Sequence, residues 1–213
     1  MNQERLSTPA PLRRLFASYY ERMSQGTAEK DYMEPLRKKI VGQAAGLVLE
    51  VGAGNGLNFA CYDPEFVERV EATELDSSML SYARTRAQSA PVSVTLTQAN
   101  VEQLPFADAY FDSIVCTLVF CSVNNPLRGL QEMRRILKPG GQLLMIEHVR
   151  AQKRMPALLQ DLITPLTRLL LGNCHWNRST VQTVQEAGFQ DIRLEYLTPV
   201  GELMPLVIIL ARG

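Results

Sequence analysis

Short apolar runs alternate with helical stretches along most of this chain, and that rhythm admits few folds. Apolar runs separated by helices imply βαβ units, whose parallel strands require the crossover that the helices provide. Leu47–Val51 reads as the first strand, apolar throughout except for Glu50, as expected of a strand covered on both faces. The next strands are read at Val70–Glu74, over Val92, Val94 and Leu96, at Phe111–Phe120 and at Gln142–Val149. Asp76 or Ser77 is placed to cap a helix running through Ala87. Pro126 opens another helix through Leu137, which Lys138-Pro139-Gly140-Gly141 terminates.

The two ends of the chain read differently. Leu12, Leu15, Phe16 and Tyr19 share one helical face, and Met33, Leu36, Ile40 and Val41 repeat at helical spacing beyond Gly26-Thr27. After residue 150, Leu158–Leu171 reads as an apolar helical stretch broken at Pro165, and Val181, Val184 and Ala187 mark a helix ending at Gly188. Ile192–Leu197 and Leu203–Ala211 close the chain as an antiparallel hairpin through Thr198-Pro199-Val200-Gly201. The expectation is one α/β domain over residues 1–213: a helical cap to residue 45, a core at 47–149, and pocket helices with the hairpin at 150–213.

Composition narrows the function. Lys and Arg total 22 and Asp and Glu total 22, so no net field attracts a polyanion and no nucleic-acid partner is expected. Cys61, Cys116, Cys121 and Cys174 form no C-x-x-C pair, so neither a metal site nor a disulfide framework is expected, and a reducing cytoplasmic setting fits. Met1–Pro11 lacks the apolar core of a secretory signal. Leu203–Leu210, interrupted by Pro205, falls well short of the roughly 20 residues of a spanning helix.

The chemistry concentrates in Glu50-Val51-Gly52-Ala53-Gly54-Asn55-Gly56, a glycine-rich turn at the C-terminal end of the first strand, where open α/β sheets bind ligands. Its third glycine lies two residues after the second, whereas the dinucleotide fingerprint places it three after, so a nicotinamide-dependent oxidoreductase is disfavoured. Glu74 ends the next strand, where a carboxylate accepts both ribose hydroxyls of a nucleoside.

With Glu74-Leu75-Asp76-Ser77-Ser78-Met79-Leu80, Leu104-Pro105-Phe106, Phe111-Asp112 and Leu137-Lys138-Pro139-Gly140-Gly141 following in order, the chain resembles class I S-adenosylmethionine-dependent methyltransferases of the small-molecule, quinone-methyltransferase-like branch. The resemblance implies a Rossmann-like seven-stranded mixed sheet with helices on both faces, an antiparallel final strand and a helical N-terminal extension. It implies S-adenosyl-L-methionine as cofactor and S-adenosyl-L-homocysteine as product. Carried over by position, Gly52, Ala53, Gly54 and Gly56 surround the methionine and ribose, with Glu50 beneath the amino-acid part. Glu74 holds the ribose diol, Leu75 and Met79 flank adenine, and Thr117 and Leu118 approach the methionine moiety. Asn100 and Val101 stand where many members have Asp-Ala, and the Asn100 amide oxygen can still meet the adenine amine. Tyr19 and Tyr20 correspond to N-terminal aromatics that fold over the cofactor in similar enzymes; packing in the core is the competing reading. Asp112, Leu104–Phe106 and Lys138–Gly141 read as scaffold.

Phe120-Cys121-Ser122-Val123, Met145–Val149 and Leu171–Thr180 are similar to the methyltransferase-like thiol methyltransferases and their bacterial relatives. The animal members carry an N-terminal membrane anchor. The implied reaction is methylation of a small, fairly apolar acceptor, favouring a thiol over a quinone, phenol or phospholipid amine; a noncatalytic S-adenosylmethionine-binding protein is the other class. His148 and His175 are the histidines of the chain and the candidates for a catalytic base, against structural hydrogen bonding. Leu158, Leu159, Leu162, Ile163, Leu166, Leu169 and Leu170 make an oily helical surface whose default place is the core. The basic run Arg150, Lys153 and Arg154 prompts a second reading, a lid or a peripheral membrane contact.

Overall fold

A computed structural model describes residues 9–199 and 201–213. Seven strands form one sheet: β1 (Gly46–Val51), β2 (Val67–Glu74), β3 (Val94–Gln98), β4 (Phe111–Thr117), β5 (Leu137–His148), β6 (Gln190–Leu197) and β7 (Leu206–Arg212). Their order is β3-β2-β1-β4-β5-β7-β6. The pairs within the first five strands are parallel, while β7 runs antiparallel to β5 and β6. The mixed Rossmann-like sheet, its antiparallel last strand and the closing hairpin all follow the sequence reading. Val200 of the expected turn, and Met1–Thr8 of the N-terminal stretch, lie outside the described residues.

Successive side chains of each strand serve opposite faces of the sheet. Leu47, Leu49 and Val51 join Ile114, Cys116, Leu143 and Met145 in a layer with Leu130, Met133 and Ile136 of α4 (Pro126–Ile136) and Val184 of α6 (Thr180–Glu186). Val48, Val70, Ala72, Val115 and Leu144 face the other way, onto Ile40 and Val41 of α2 (Glu34–Val41) and Ala83 of α3 (Ser77–Ala87). Glu50, between Leu49 and Val51, therefore points into the second layer, which accounts for its need of polar partners.

Several boundaries move: β4 stops at Thr117 instead of Phe120, and β7 begins at Leu206 instead of Leu203. The residues expected to end α4 are drawn into β5: Phe111 pairs with Leu137 and Ser113 with Gln142, so Lys138–Gly141 bulges out between two paired positions. Gly140 takes φ 74° in this bulge. Asp112 serves the scaffold, accepting from the Leu47 N–H at 2.9 Å and from Lys138 Nζ at 2.7 Å.

The larger correction concerns the apolar stretch after residue 150. It is a single helix, α5 (Arg154–Leu170), uninterrupted at Pro165. Its buried residues are Ala157, Gln160, Thr164 and Thr167, while Leu158, Leu159, Leu162, Leu166, Leu169 and Leu170 are exposed, so the leucines are not core. The reason is the surface beneath. Gln160 accepts from Ala151 N–H and donates to the carbonyls of Val149 and Leu203, and Thr167 donates to Cys174 O at 2.7 Å. Buried loop backbone must be hydrogen-bonded, so the polar stripe turns inward and the leucines turn out.

Candidate functional site

At the C-terminal ends of β1, β2 and β4 the sheet opens into a cavity of about 540 Å³. α1 (Ala10–Met23) closes one side of it and the end of α5 another. Gly52 leaves β1 at φ 63°, and a Cβ there would come within 2.4 Å of the Val119 side chain. Gly56 is closed in the same way by the Phe59 ring, at 2.7 Å. Gly54, at φ 58°, faces open space, so it is where a ligand can approach the backbone.

Glu74 accepts from Gly54 N–H on Oε2 at 2.9 Å and from Asp76 N–H on Oε1 at 2.8 Å. Each oxygen keeps a lone pair for a hydroxyl, and the diol of a ribose matches that pair. Burial raises the Glu74 pKa despite those bonds. Asp76, rather than Ser77, caps α3, accepting from Ser78 N–H at 2.7 Å.

Beneath the glycine turn, Glu50 accepts from Asn58 Nδ2 at 3.1 Å and from the Tyr62 hydroxyl at 2.6 Å, and burial pushes its pKa up to about 7. Asn58 receives Arg37 Nη1 at 2.8 Å and also donates to Thr117 Oγ1 at 3.2 Å. Arg37 is itself buried and paired with Glu29 at 2.8 Å. Sequence reasoning missed Arg37 and Asn58, because neither sits in a glycine or strand-end motif. The only available signal was a cation placed among apolar helix positions. On the cavity wall Arg37 offers a buried positive charge, the natural counterpart of an amino-acid carboxylate.

α1 is latched over the turn. Arg86 of α3 donates both terminal nitrogens to Glu21, at 2.9 and 2.8 Å, and one of them also to Asn55 O at 2.9 Å. Asn55 Nδ2 donates to Glu21 at 2.7 Å, and these donors lower the Glu21 pKa.

Of the residues singled out from the sequence, Tyr20, Gly52, Ala53, Gly54, Glu74, Leu75, Met79, Asn100, Val101, Thr117 and Leu118 line this cavity, as does Tyr19. Glu50 and Gly56 stand behind the lining. The Asn100 amide oxygen accepts the Glu102 N–H at 3.0 Å, leaving one lone pair toward the cavity.

The two histidines are not brought to the cavity. His148 is paired across β5 and β7 opposite Leu206, and burial holds its pKa down to about 4. His175 Nδ1 lies 2.8 Å from the carbonyl of Asn173, 3.1 Å from that of Cys121 and 3.1 Å from Arg178 Nη2, so its partners belong to the loops themselves. Its neighbour Arg178 donates to Phe120 O, and Asn173 Nδ2 to Ser122 O at 2.8 Å. From the other side Glu147 Oε1 accepts from the N–H groups of Val119, at 2.8 Å, and Phe120, at 3.0 Å. These groups clamp the loop after β4, whose Leu118 sits at φ 57°; His175 is part of the clamp. Among the described residues no group of three or more His, Cys, Asp or Glu could hold a metal ion.

A profile for a methyltransferase domain matches residues 49–145, the stretch from within β1 to within β5 that carries the glycine turn and Glu74. With the relatives below, the chain belongs to the class I S-adenosylmethionine-dependent methyltransferases, and S-adenosylmethionine is its cofactor. It is 33% identical over 171 residues to thiol S-methyltransferase TMT1B of Rattus norvegicus, covering 75% of this chain and 66% of that protein. To TMT1B of Homo sapiens it is 30% identical over 194 residues, covering 82% of this chain and 75% of the other. Its fold is similar to that of an S-adenosylmethionine-dependent methyltransferase from Mesorhizobium loti, with a TM-score of 0.65, 18% identity, and 84% and 96% of the two chains covered.

Proposed function

We propose that this enzyme S-methylates a small apolar thiol. The observation that carries the reading is the acceptor side of the cavity: Leu15, Phe16, Val119, Val123, Leu169 and Leu170 line it, and no histidine, lysine or cysteine stands among the described lining residues. A thiol suits such a wall, since with a pKa near 8.5 it supplies its own thiolate at neutral pH, whereas a phenol near 10 calls for a base. The thiol S-methyltransferases among the relatives support the same choice.

The bound cofactor supplies a methyl group on a sulfonium whose departure leaves a neutral thioether. In our reading Glu74 holds the ribose diol, Leu75, Met79 and Val101 enclose adenine with Asn100 at its edge, and Arg37 with Tyr20 faces the methionine carboxylate. Gly52, Ala53 and Gly54 let the backbone come close, Glu50 and Gly56 support that turn from behind, and Thr117 and Leu118 flank the methyl-bearing end. Residues 47–149 thus carry most of the cofactor, Tyr20 and Arg37 of the N-terminal cap meet its carboxylate, and the two ends of the chain enclose the acceptor. A thiol that has given its proton to water would need no protein base to take that methyl, so the chain's own contribution would be alignment of the acceptor sulfur and exclusion of water by α1 and α5.

The test is a screen with methyl-labelled cofactor across alkyl thiols, phenols, quinols and lipid amines. We expect labelled methyl thioether, with a rate that rises with pH through the thiol pKa. Turnover of a quinol, phenol or amine with none of the thiols would overturn the acceptor assignment. Cofactor binding without turnover of any acceptor would favour a binding protein.

A further inference from the structure

We infer that the exposed face of α5, together with the outer face of α1, rests on an anionic lipid surface, so that the cavity opens onto the bilayer. At about 100° per residue, the α5 side chains from Pro165 through Leu162 to Ile163 sweep roughly 160° of the helix with no charged residue among them. Leu162 is 77% exposed and Met155 75%, while Gln160 on the opposite face is fully buried. An amphipathic helix that packs its polar stripe inward and presents its leucines outward is incomplete in water; exposed apolar patches of this kind mark membrane or protein contacts.

Two observations choose lipid. The first is continuity with the cavity. Leu15 and Tyr19 of α1 and Leu169 and Leu170 of α5 are each more than half exposed and also line the cavity, so the mouth lies between the two oily helices. The helices meet there: a Cβ on Gly172, just past α5, would lie 3.0 Å from the Phe16 ring. A second protein copy seated on this rim would seal the mouth, whereas a bilayer would present an apolar acceptor to it. The second observation is charge. Arg154 and Arg168 border the leucine arc on one edge, and Asp161 between them is engaged by Arg150 at 2.6 Å and by Asn177 at 2.8 Å. Arg14 and Arg22 lie on α1. A leucine face edged by guanidinium groups is the pattern of a helix lying in an anionic interface.

The inference stands apart from the choice of acceptor, because binding to vesicles is measured without turnover. The experiment is co-sedimentation of the full chain with vesicles of phosphatidylcholine alone or with about 30% phosphatidylglycerol, alongside sedimentation velocity without lipid. The variants are Leu158→Glu/Leu162→Glu and Arg154→Glu/Arg168→Glu. All four residues are exposed and lie outside the cavity lining, and retained thermal unfolding verifies the fold. We expect the natural chain to pellet with the anionic vesicles, and less so as salt is raised. The leucine variant should lose at least about tenfold in partitioning and the arginine variant its preference for anionic lipid. The natural chain remaining in the supernatant with both lipids, or the leucine variant pelleting as well as it does, would overturn the proposal. So would a lipid-free dimer that the leucine substitutions disperse while no vesicle binding is seen.

Discussion

Glu74 shows how one side chain is prepared before any ligand arrives. The Gly54 and Asp76 N–H groups hold its two oxygens in place, and the remaining lone pairs face the cavity. Glu74→Ala removes both the ribose acceptors and the anchor of the glycine turn. Each of the two lost hydrogen bonds to a carboxylate is worth about 1.5–3 kcal/mol, so the cofactor Kd measured by calorimetry should rise by roughly 100-fold or more. Unchanged affinity in the folded variant would remove its proposed ribose role. Glu147 makes a prediction about pH. Burial raises its pKa from 4.5 to about 7, so between those values the folded chain keeps a proton that the unfolded chain has lost. Its contribution therefore falls as pH rises from about 4.5 to about 7, then levels off. Glu147→Gln keeps an acceptor for Val119 and Phe120 but does not titrate. Urea unfolding at pH 5 and pH 7.5 should show a smaller loss of stability in the variant, the difference approaching about 1.4 kcal/mol per pH unit within that window. Equal losses would show that Glu147 does not titrate there. Glu21 acts in the opposite sense and lower in pH, since Arg86 holds its pKa down and its contribution disappears only on acidification.

Helices α1 and α5 depend on what they touch more than on their own patterns. The apolar face of α1 was legible, but its place above the cofactor cradle depends on the Glu21–Arg86 pair, whose members stand 65 positions apart. Arg86→Ala should free α1 from the turn, raise the KM for S-adenosylmethionine by roughly five- to tenfold, and speed amide exchange in residues 10–23, for a loss of about 1 kcal/mol. Exchange in α1 unchanged from the natural chain would count against the latch. In α5 the leucine stripe exists as its spacing predicts, but it faces solvent instead of the core. Periodicity gives the stripe, while the neighbouring surface decides which side faces it. Here that surface is loop backbone at 149–151, 174 and 203, which selects Gln160 and Thr167, while the buried Thr164 hydroxyl donates to Gln160 O within the helix. Pro165 breaks no helix here: its missing N–H removes one hydrogen bond from a helix whose buried face is otherwise tied down.

Across the whole molecule, the sheet is held by two apolar layers that share its central strands, and Ile114 of β4 sits fully buried in the layer beneath α4. Ile114→Ala should cost about 3 kcal/mol and lower Tm by roughly 6–12 °C, since the surrounding strands cannot collapse onto the void. A change under about 1 kcal/mol would mean that this layer repacks freely. The succession of strands and helices along the chain and the hairpin were readable because they rest on local signals: apolar runs, turn residues and caps all act over a few positions. Glycine spacing and the acid at the end of β2 located the cradle for the same reason. His148 and His175 marked the limit of that approach: proximity to a strand end says nothing of where a ring points. His148 is buried at the end of the β5–β7 pairing, and the His175 ring turns toward carbonyls of its own loop and of the loop after β4. Local pattern alone was enough for the α/β class, the succession of strands and helices and the position of the cofactor turn. It took the folded chain to fix which residues stand behind that turn, that Arg37 lines the same cavity, and that the leucines of α5 face outward. Those outcomes depend on pairing buried polar groups between distant segments, and no local pattern records such pairings.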